Sequence, residues 1–175
     1  DTSIMLALCD ILGINYNLES YDKVHEMYPD KAIVASECCA TGTTRGQYLG
    51  SDITRGYISS YDKDMNEWFL SREKTWKFLT ARPWVLGCYQ WIAFEHRGEA
   101  LWPRLCSQSG AIDLFMQKKD AFYQNQTHWC EDRPLVHLLP HWNFKGREGE
   151  VIKVFAYTNC EELELFVNGK SMGVQ

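Results

Sequence analysis

No apolar run in this sequence approaches the roughly 20 residues that a membrane-spanning helix needs, so no membrane partner of that kind is expected. There is no basic tract, and the formal net charge is −5, which argues against a nucleic-acid partner. No C-x-x-C pair occurs. The seven cysteines (Cys9, Cys38, Cys39, Cys88, Cys106, Cys130 and Cys160) are odd in number, which speaks against a zinc site. Several lie in apolar strand contexts, where a free thiol behaves as a small hydrophobe. Unpaired thiols fit a reducing, cytoplasmic compartment, with export left open. The chain has neither an initiator Met nor a signal peptide. Residues 168–175 make a turn and open a strand with no room to finish, so a segment of a longer protein is expected.

What the chain has in quantity is apolar surface. Of its 175 residues 45% are hydrophobic and 14% aromatic, including seven Trp, enough for a sizeable core. Clustered Trp suits ligands with apolar faces, such as sugar rings, although most Trp in any protein are core residues.

The stretch from Ala32 to Tyr48, AIVASECCATGTTRGQY, organises the rest. Ala32-Ile33-Val34-Ala35 reads as a buried strand, and it runs directly into Ser36-Glu37 and a loop rich in small residues. A carboxylate just after a buried strand is costly unless it is paired or used. Pairing with Arg45 is the plain structural reading. Chemistry is the other, because parallel α/β folds place their sites at the C-terminal strand ends.

Ile4, Met5 and Leu8 fall at helical spacing, and residues 10–17 form a first strand. Ser20 is placed to cap a short helix with Tyr21, Val24 and Tyr28 on one face. Ala32 to Ser36 is the second strand, followed by a long glycine-bearing loop over 42–60. Loops of that length in compact domains are usually functional. Asp64 with Glu67 resembles a capping box; Met65, Trp68, Phe69, Arg72, Trp76 and Leu79 continue at helical spacing to Pro83. Residues 84–94 make a third strand, Glu95 to Glu99 follow, and 118–129 read as a helix. This alternation implies a parallel sheet covered by helices, and three units cannot close a barrel of about eight.

Near Arg133-Pro134 the pattern changes. Val151 to Tyr157 and Glu162 to Val167 alternate with period 2, and Asn168-Gly169 is a strong hairpin signal. The expected organisation is an α/β domain over 1–132, a linker over 133–150, and the start of an antiparallel β-sandwich over 151–175.

Four segments, taken in order, resemble glycoside hydrolase family 2, the β-galactosidase-like enzymes. DILGINYN (10–17) is similar to the sixth strand of the family's TIM (β/α)8 barrel. Residues 33–48 are similar to the seventh, whose Glu is the nucleophile. GCYQWIAFEHRGE (87–99) is similar to the eighth, and PLVHLLPHWNFKGREG (134–149) to the exit from the barrel. The resemblance implies the C-terminal part of that barrel followed by the start of an immunoglobulin-like domain. It implies a retaining glycosidase with a carbohydrate substrate, Glu37 as nucleophile, Tyr16 as the hydrogen-bond donor that orients it, and Trp91 as the floor of the sugar site. Asn15, Glu95, Glu99 and Trp102 lie near the implied mouth as candidates for substrate binding.

In such enzymes one carboxylate forms a glycosyl-enzyme ester while a second serves as acid and then base. The family's acid/base is a Glu after an Asn at the fourth strand, and no Asn-Glu pair here occupies such a place. The segment alone is therefore expected to be inactive. No cofactor is expected. The family's usual metal ligands do not transfer, because the segments matching them are mostly absent, which leaves a divalent cation in the parent open. A homo-oligomer is left open too. Within the family a β-glucuronide is the second substrate choice, although the Asn-x-Lys element of glucuronidases is not found. A non-catalytic carbohydrate-binding protein that kept the barrel rim is the competing reading.

Overall fold

Three parallel strands carry the centre of the molecule: β1 (Ile11–Asn15), β2 (Ala32–Cys39) and β3 (Val85–Trp91), hydrogen-bonded in that order. They are seen in a computed structural model that describes residues 2–63 and 71–175. The segments between them form helices: α1 (Thr2–Leu8) precedes β1, α2 (Tyr21–Met27) joins β1 to β2, and α3 (Arg72–Thr80) leads into β3. Helices between parallel strands are the connection such pairing requires. The capping box read at Asp64 and Glu67, and the helical positions Met65, Trp68 and Phe69, lie outside the described residues. Helix α3 begins instead at a Ser71 cap, whose Oγ accepts from the Lys74 N–H at 3.1 Å.

The core lies between the sheet and its helices. Leu12, Ile33, Ala35, Cys38 and Cys39 from the strands pack with Leu18, Tyr21 and Leu79. Tyr21 has no exposed surface, and its hydroxyl donates to the Ile14 carbonyl at 3.1 Å, so the buried polar group is satisfied. The expected face of α2 is present, with Val24 and Tyr28 packed beside Tyr21. Ser20 does not cap α2, however. It closes a 3-10 turn over Leu18–Ser20, and its hydroxyl donates back to the Asn17 carbonyl at 2.8 Å. In α1 the helical spacing holds, yet Ile4, Met5 and Leu8 are exposed while Leu6 faces the core.

Two short strands, β4 (His96–Arg97) and β5 (Cys106–Ser107), pair antiparallel beyond β3, and α4 (Asp120–Trp129) follows. The chain divides into two compact units, Asp1–Ala121 and Phe122–Gln175. In the second, β6 (Val136–Leu139) pairs antiparallel with β7 (Phe155–Thr158), and β8 (Glu164–Val167) with β9 (Lys170–Val174). The expected strand from Val151 is shorter than its period-2 pattern. It starts at Phe155, and Val151 is solvent-exposed. Asn168 and Gly169 take φ of 51° and 78° at the β8–β9 turn, the conformation for which an Asn-Gly hairpin signal stands.

Candidate active site

The second strand does not stop before Glu37. It continues through it to Cys39, and the pairing register with β1 slips at that point: Ile14 faces Ala35, but the next partners are Asn15 and Glu37. Ser36 is thus left as the extra residue of a bulge, a device that re-aims side chains near sites. The Tyr16 N–H donates to the Glu37 carbonyl at 2.8 Å, which ties the end of β1 to β2 just past the bulge. The Tyr16 hydroxyl then donates to Glu37 Oε1. Burial, followed by that hydrogen bond and the Glu37 charge, pushes the Tyr16 hydroxyl well above its ordinary value, so it stays protonated as a donor.

The backbone around this pair is unusual. Tyr16, Cys39, Ala40 and Glu99 all hold positive φ, at 57°, 74°, 44° and 47°. Such conformations cost about 1–3 kcal/mol each in side-chain-bearing residues and persist where the surroundings impose them. Glu99 belongs to this neighbourhood, since its charge contributes to the shift of Tyr16. Its carboxylate lies 3.3 Å from His96 Nε2, and the His96 ring meets Trp91 edge-on at 5.7 Å. Trp91 is in register with Cys39 on β2. Thus β1, β2 and β3 with the segment beyond it, which includes β4, bring Tyr16, Glu37, Trp91, His96 and Glu99 to one end of the sheet, at the strands' C-terminal ends. Asn15 is there as well; its Oδ1 accepts from Ser36 Oγ at 2.7 Å.

Two expected residues are placed otherwise. Glu95 does not offer its carboxylate to a ligand beside Glu37. Its side chain is 10% exposed and forms an ion pair with Lys119 Nζ at 2.8 Å, because a buried carboxylate requires a cation. Trp102 is 84% exposed and lines a cavity whose described lining comes from residues 50–58, Lys63 and 101–104 and does not include Tyr16, Glu37 or Trp91. Arg45, the plain partner for Glu37, pairs with Asp113 at 2.6 Å instead.

Sequence reasoning missed the framework under the site. Lys119, with a side chain 1% exposed, donates to the carbonyls of Thr43 and Gln108 as well as to Glu95, each at 2.8 Å. Desolvation lowers its ammonium to about 8, against the pull of Glu95. Arg72, also buried, donates to the carbonyls of Thr41 at 3.2 Å and Ser109 at 3.0 Å. Its one signal in the sequence was its place on the apolar stripe of α3. The thiols of Cys38 and Cys39, the two residues after Glu37, touch at 3.8 Å, and hydrogen bonding to Cys39 and Cys88, with burial, pushes Cys38 far up, so its thiol is an inert packing group. Among the described residues no three His, Cys, Asp or Glu side chains converge as metal ligands would.

The chain is similar to several known proteins. Residues 149–175 match a family described as a domain of unknown function, DUF4982. The chain is 33% identical to a β-galactosidase of Bacteroides ovatus, BoGH2A, over 95% of its own length and 21% of that protein's. It is 38% identical to a putative β-glucuronidase of Formosa agariphila, over 67% of its own length and 12% of that protein's. In structure it superposes on a β-glycosidase from Bacteroides vulgatus with a TM-score of 0.85 at 33% identity, covering 96% of this chain and 26% of that one. A glycosyl hydrolase family 2 member from Bacteroides cellulosilyticus matches with a TM-score of 0.71 at 27% identity, over 99% and 24% of the two chains. The chain therefore spans about a fifth of the β-galactosidase and less of the glucuronidase. With glycosidases matched along nearly all of its residues, the chain belongs to glycoside hydrolase family 2.

Proposed function

We propose that this chain carries the nucleophile half of a retaining β-galactosidase. On this reading β1, β2 and β3 are the sixth, seventh and eighth strands of a (β/α)8 barrel, and residues 151–175 open an immunoglobulin-like domain. Glu37 attacks the anomeric carbon and forms a glycosyl-enzyme ester. Water then cleaves the ester, activated by a second carboxylate roughly 5–5.5 Å from the first, which another part of the enzyme supplies. Tyr16 holds one Glu37 oxygen so that the other meets the sugar, and Trp91 offers the apolar face of the sugar a floor.

The hydrogen bond from the Tyr16 hydroxyl to Glu37 carries the proposal. A merely structural carboxylate at this strand end would take Arg45, which goes to Asp113. A neutral sugar is favoured over a glucuronide by the similarity of 95% of this chain to a β-galactosidase. The test is Glu37→Gln in the full-length enzyme, assayed on aryl β-galactoside and aryl β-glucuronide. The galactoside should be hydrolysed by the wild type and not by the variant. Preference for the glucuronide would refute the substrate, and near-normal turnover by the variant would refute the nucleophile.

A further inference from the structure

We propose that Cys39 stands as a thiolate, the anionic partner of the buried guanidinium of Arg72, and that this internal ion pair positions the segment leaving Glu37. Arg72 is 1% exposed, and its guanidinium donates to two backbone carbonyls, those of Thr41 at 3.2 Å and Ser109 at 3.0 Å. Its Nε lies buried with no acceptor among the described residues. Asp62 does not fill that place, because its carboxylate takes the backbone N–H groups of Arg72 and Glu73, each at 3.0 Å. A buried cation with an unmet donor is costly, and a neighbour that carries negative charge relieves both deficits at once.

Cys39 is that neighbour by placement. Successive side chains of a regular strand point to opposite faces. Cys39 instead holds φ 74°, and its buried sulfur lies 3.8 Å from that of Cys38, also buried. On α3, Arg72 and Thr75 stand three residues apart on one buried face, and the Thr75 hydroxyl bonds to the Cys39 sulfur. The helix thus brings a cation and a hydroxyl to a single thiol. The Cys38 hydrogen bond, with the Arg72 charge and the Thr75 hydroxyl, holds the Cys39 thiol below its ordinary value against the opposing pull of burial. Cys38, pushed far up, keeps its proton and serves as the donor. Cys88 on β3 shares the Cys38 hydrogen bond, but of the two only Cys39 feels a cation. The pair also reaches the backbone. Arg72 holds the Thr41 carbonyl, and the Thr41 hydroxyl donates to the Cys39 carbonyl at 3.4 Å. Cys39 is therefore a positioning residue, acting through the stretch by which β2 leaves Glu37.

The ion pair stands on these contacts; its effect on turnover rests on the nucleophile reading above. The experiment follows the ultraviolet absorbance of thiolate in the full-length protein and in its Cys39→Ser and Cys88→Ser variants, each still folded. At about pH 7, where an ordinary thiol is almost wholly protonated, the wild type should exceed Cys39→Ser by the absorbance of one thiolate. Cys88→Ser should match the wild type. Arg72→Gln, which keeps donors for the carbonyls, should lose more than half of that excess. The stability of wild type minus that of Cys39→Ser supplies a second reading that does not need Arg72→Gln to fold. The unfolded thiol binds more protons than the folded one below its ordinary 9.0, so the difference should shrink as pH falls from there. No excess absorbance, an excess that survives Cys39→Ser, or a stability difference that grows on acidification would overturn the ion pair. In turnover of an aryl β-galactoside, Cys39→Ser should lower kcat about tenfold with KM within about twofold. Unchanged kcat would overturn the positioning role. Because absorbance is read without substrate, a missing thiolate in an active enzyme sinks this inference alone, and a present thiolate in an enzyme that cleaves no galactoside sinks only the reaction.

Discussion

Arg72 and Lys119 bind the same two stretches of backbone from different parts of the chain. Arg72 joins the Thr41 carbonyl to that of Ser109, and Lys119 joins the Thr43 carbonyl to that of Gln108. The backbone adds its own ties, with the Thr43 N–H donating to Gln108 O at 3.0 Å and the Ser109 hydroxyl to Ala40 O at 3.0 Å. The segment leaving Glu37 is therefore held by two buried cations before it opens into the long loop. Such carbonyls, buried without partners, would be costly, and two side chains satisfy them through four bonds, three of which cross more than 30 residues of sequence.

Removing the lysine exposes how much rests on it. Lys119→Met strands the Glu95 carboxylate, whose side chain is 10% exposed, without its cation. Breaking a buried pair from one side costs about 3–5 kcal/mol, whereas removing both charges is far milder. Denaturant unfolding of the full-length protein should show that loss in Lys119→Met and recover most of it in the Lys119→Met, Glu95→Gln double variant. Equal stability of single and double variants would show that the pair is not coupled.

The same lysine gives a dependence on pH with a definite sign. Its ammonium drops from an ordinary 10.5 to about 8 on folding, chiefly by desolvation. Between those values the unfolded chain binds more protons than the folded one, so this group's stabilising contribution rises with pH across the window. It is complete above about 10.5 and lost as pH falls through about 8. The stability of wild type minus that of Lys119→Met should thus grow as pH is raised from 8 to 10.5. A difference that shrinks over that range would contradict the burial argument.

How much of this could be read beforehand follows from how local each cause is. The three parallel strands and their helices were legible because apolar runs and helical spacing lie within a few residues of each other, as Ile33 with Ala35 and Tyr21 with Val24 do. The Asn168-Gly169 turn was legible for the same reason. The extension of β2 through Glu37 was not, since the bulge at Ser36 depends on the register chosen by β1. Nor was the fate of Glu95. A Glu near the implied mouth reads as a substrate-binding candidate, and only a lysine 24 residues away makes it an internal ion. Trp102 was placed near the mouth by sequence order, which cannot tell one cavity at a loop cluster from another.

The tie between Tyr16 and Glu37 should be visible in rate more than in stability. Tyr16→Phe keeps the ring, which is half-buried at the strand end, and removes only the donor. In the full-length enzyme kcat for an aryl β-galactoside should fall by about 10²–10³, the usual effect of losing one preorganised donor. The unfolding midpoint should change little. A variant with wild-type kcat would mean that the tyrosine does not orient the attacking carboxylate.

Gly110 supplies the most local of these tests. The segment 109–112 runs against 92–95, with Ala111 N–H on Ile92 O at 3.0 Å, Ile112 N–H on Ala93 O at 2.9 Å and Glu95 N–H on Ile112 O at 2.9 Å. A Cβ at Gly110 would stand 2.1 Å from the Glu95 nitrogen and 2.4 Å from the Phe94 carbonyl carbon, both backbone atoms that no rotamer change can move aside. Gly110→Ala must therefore push the two segments apart, at a cost of about 1–3 kcal/mol or more for overpacking of this kind. Because Glu95 hangs from that backbone, the displacement should also loosen its bond to Lys119. Gly110→Ala and Lys119→Met should then be less than additive when combined, as residues in one network are. Full additivity in a double-mutant cycle would mean that Gly110 is crowded without being connected to the clamp on the segment that follows Glu37.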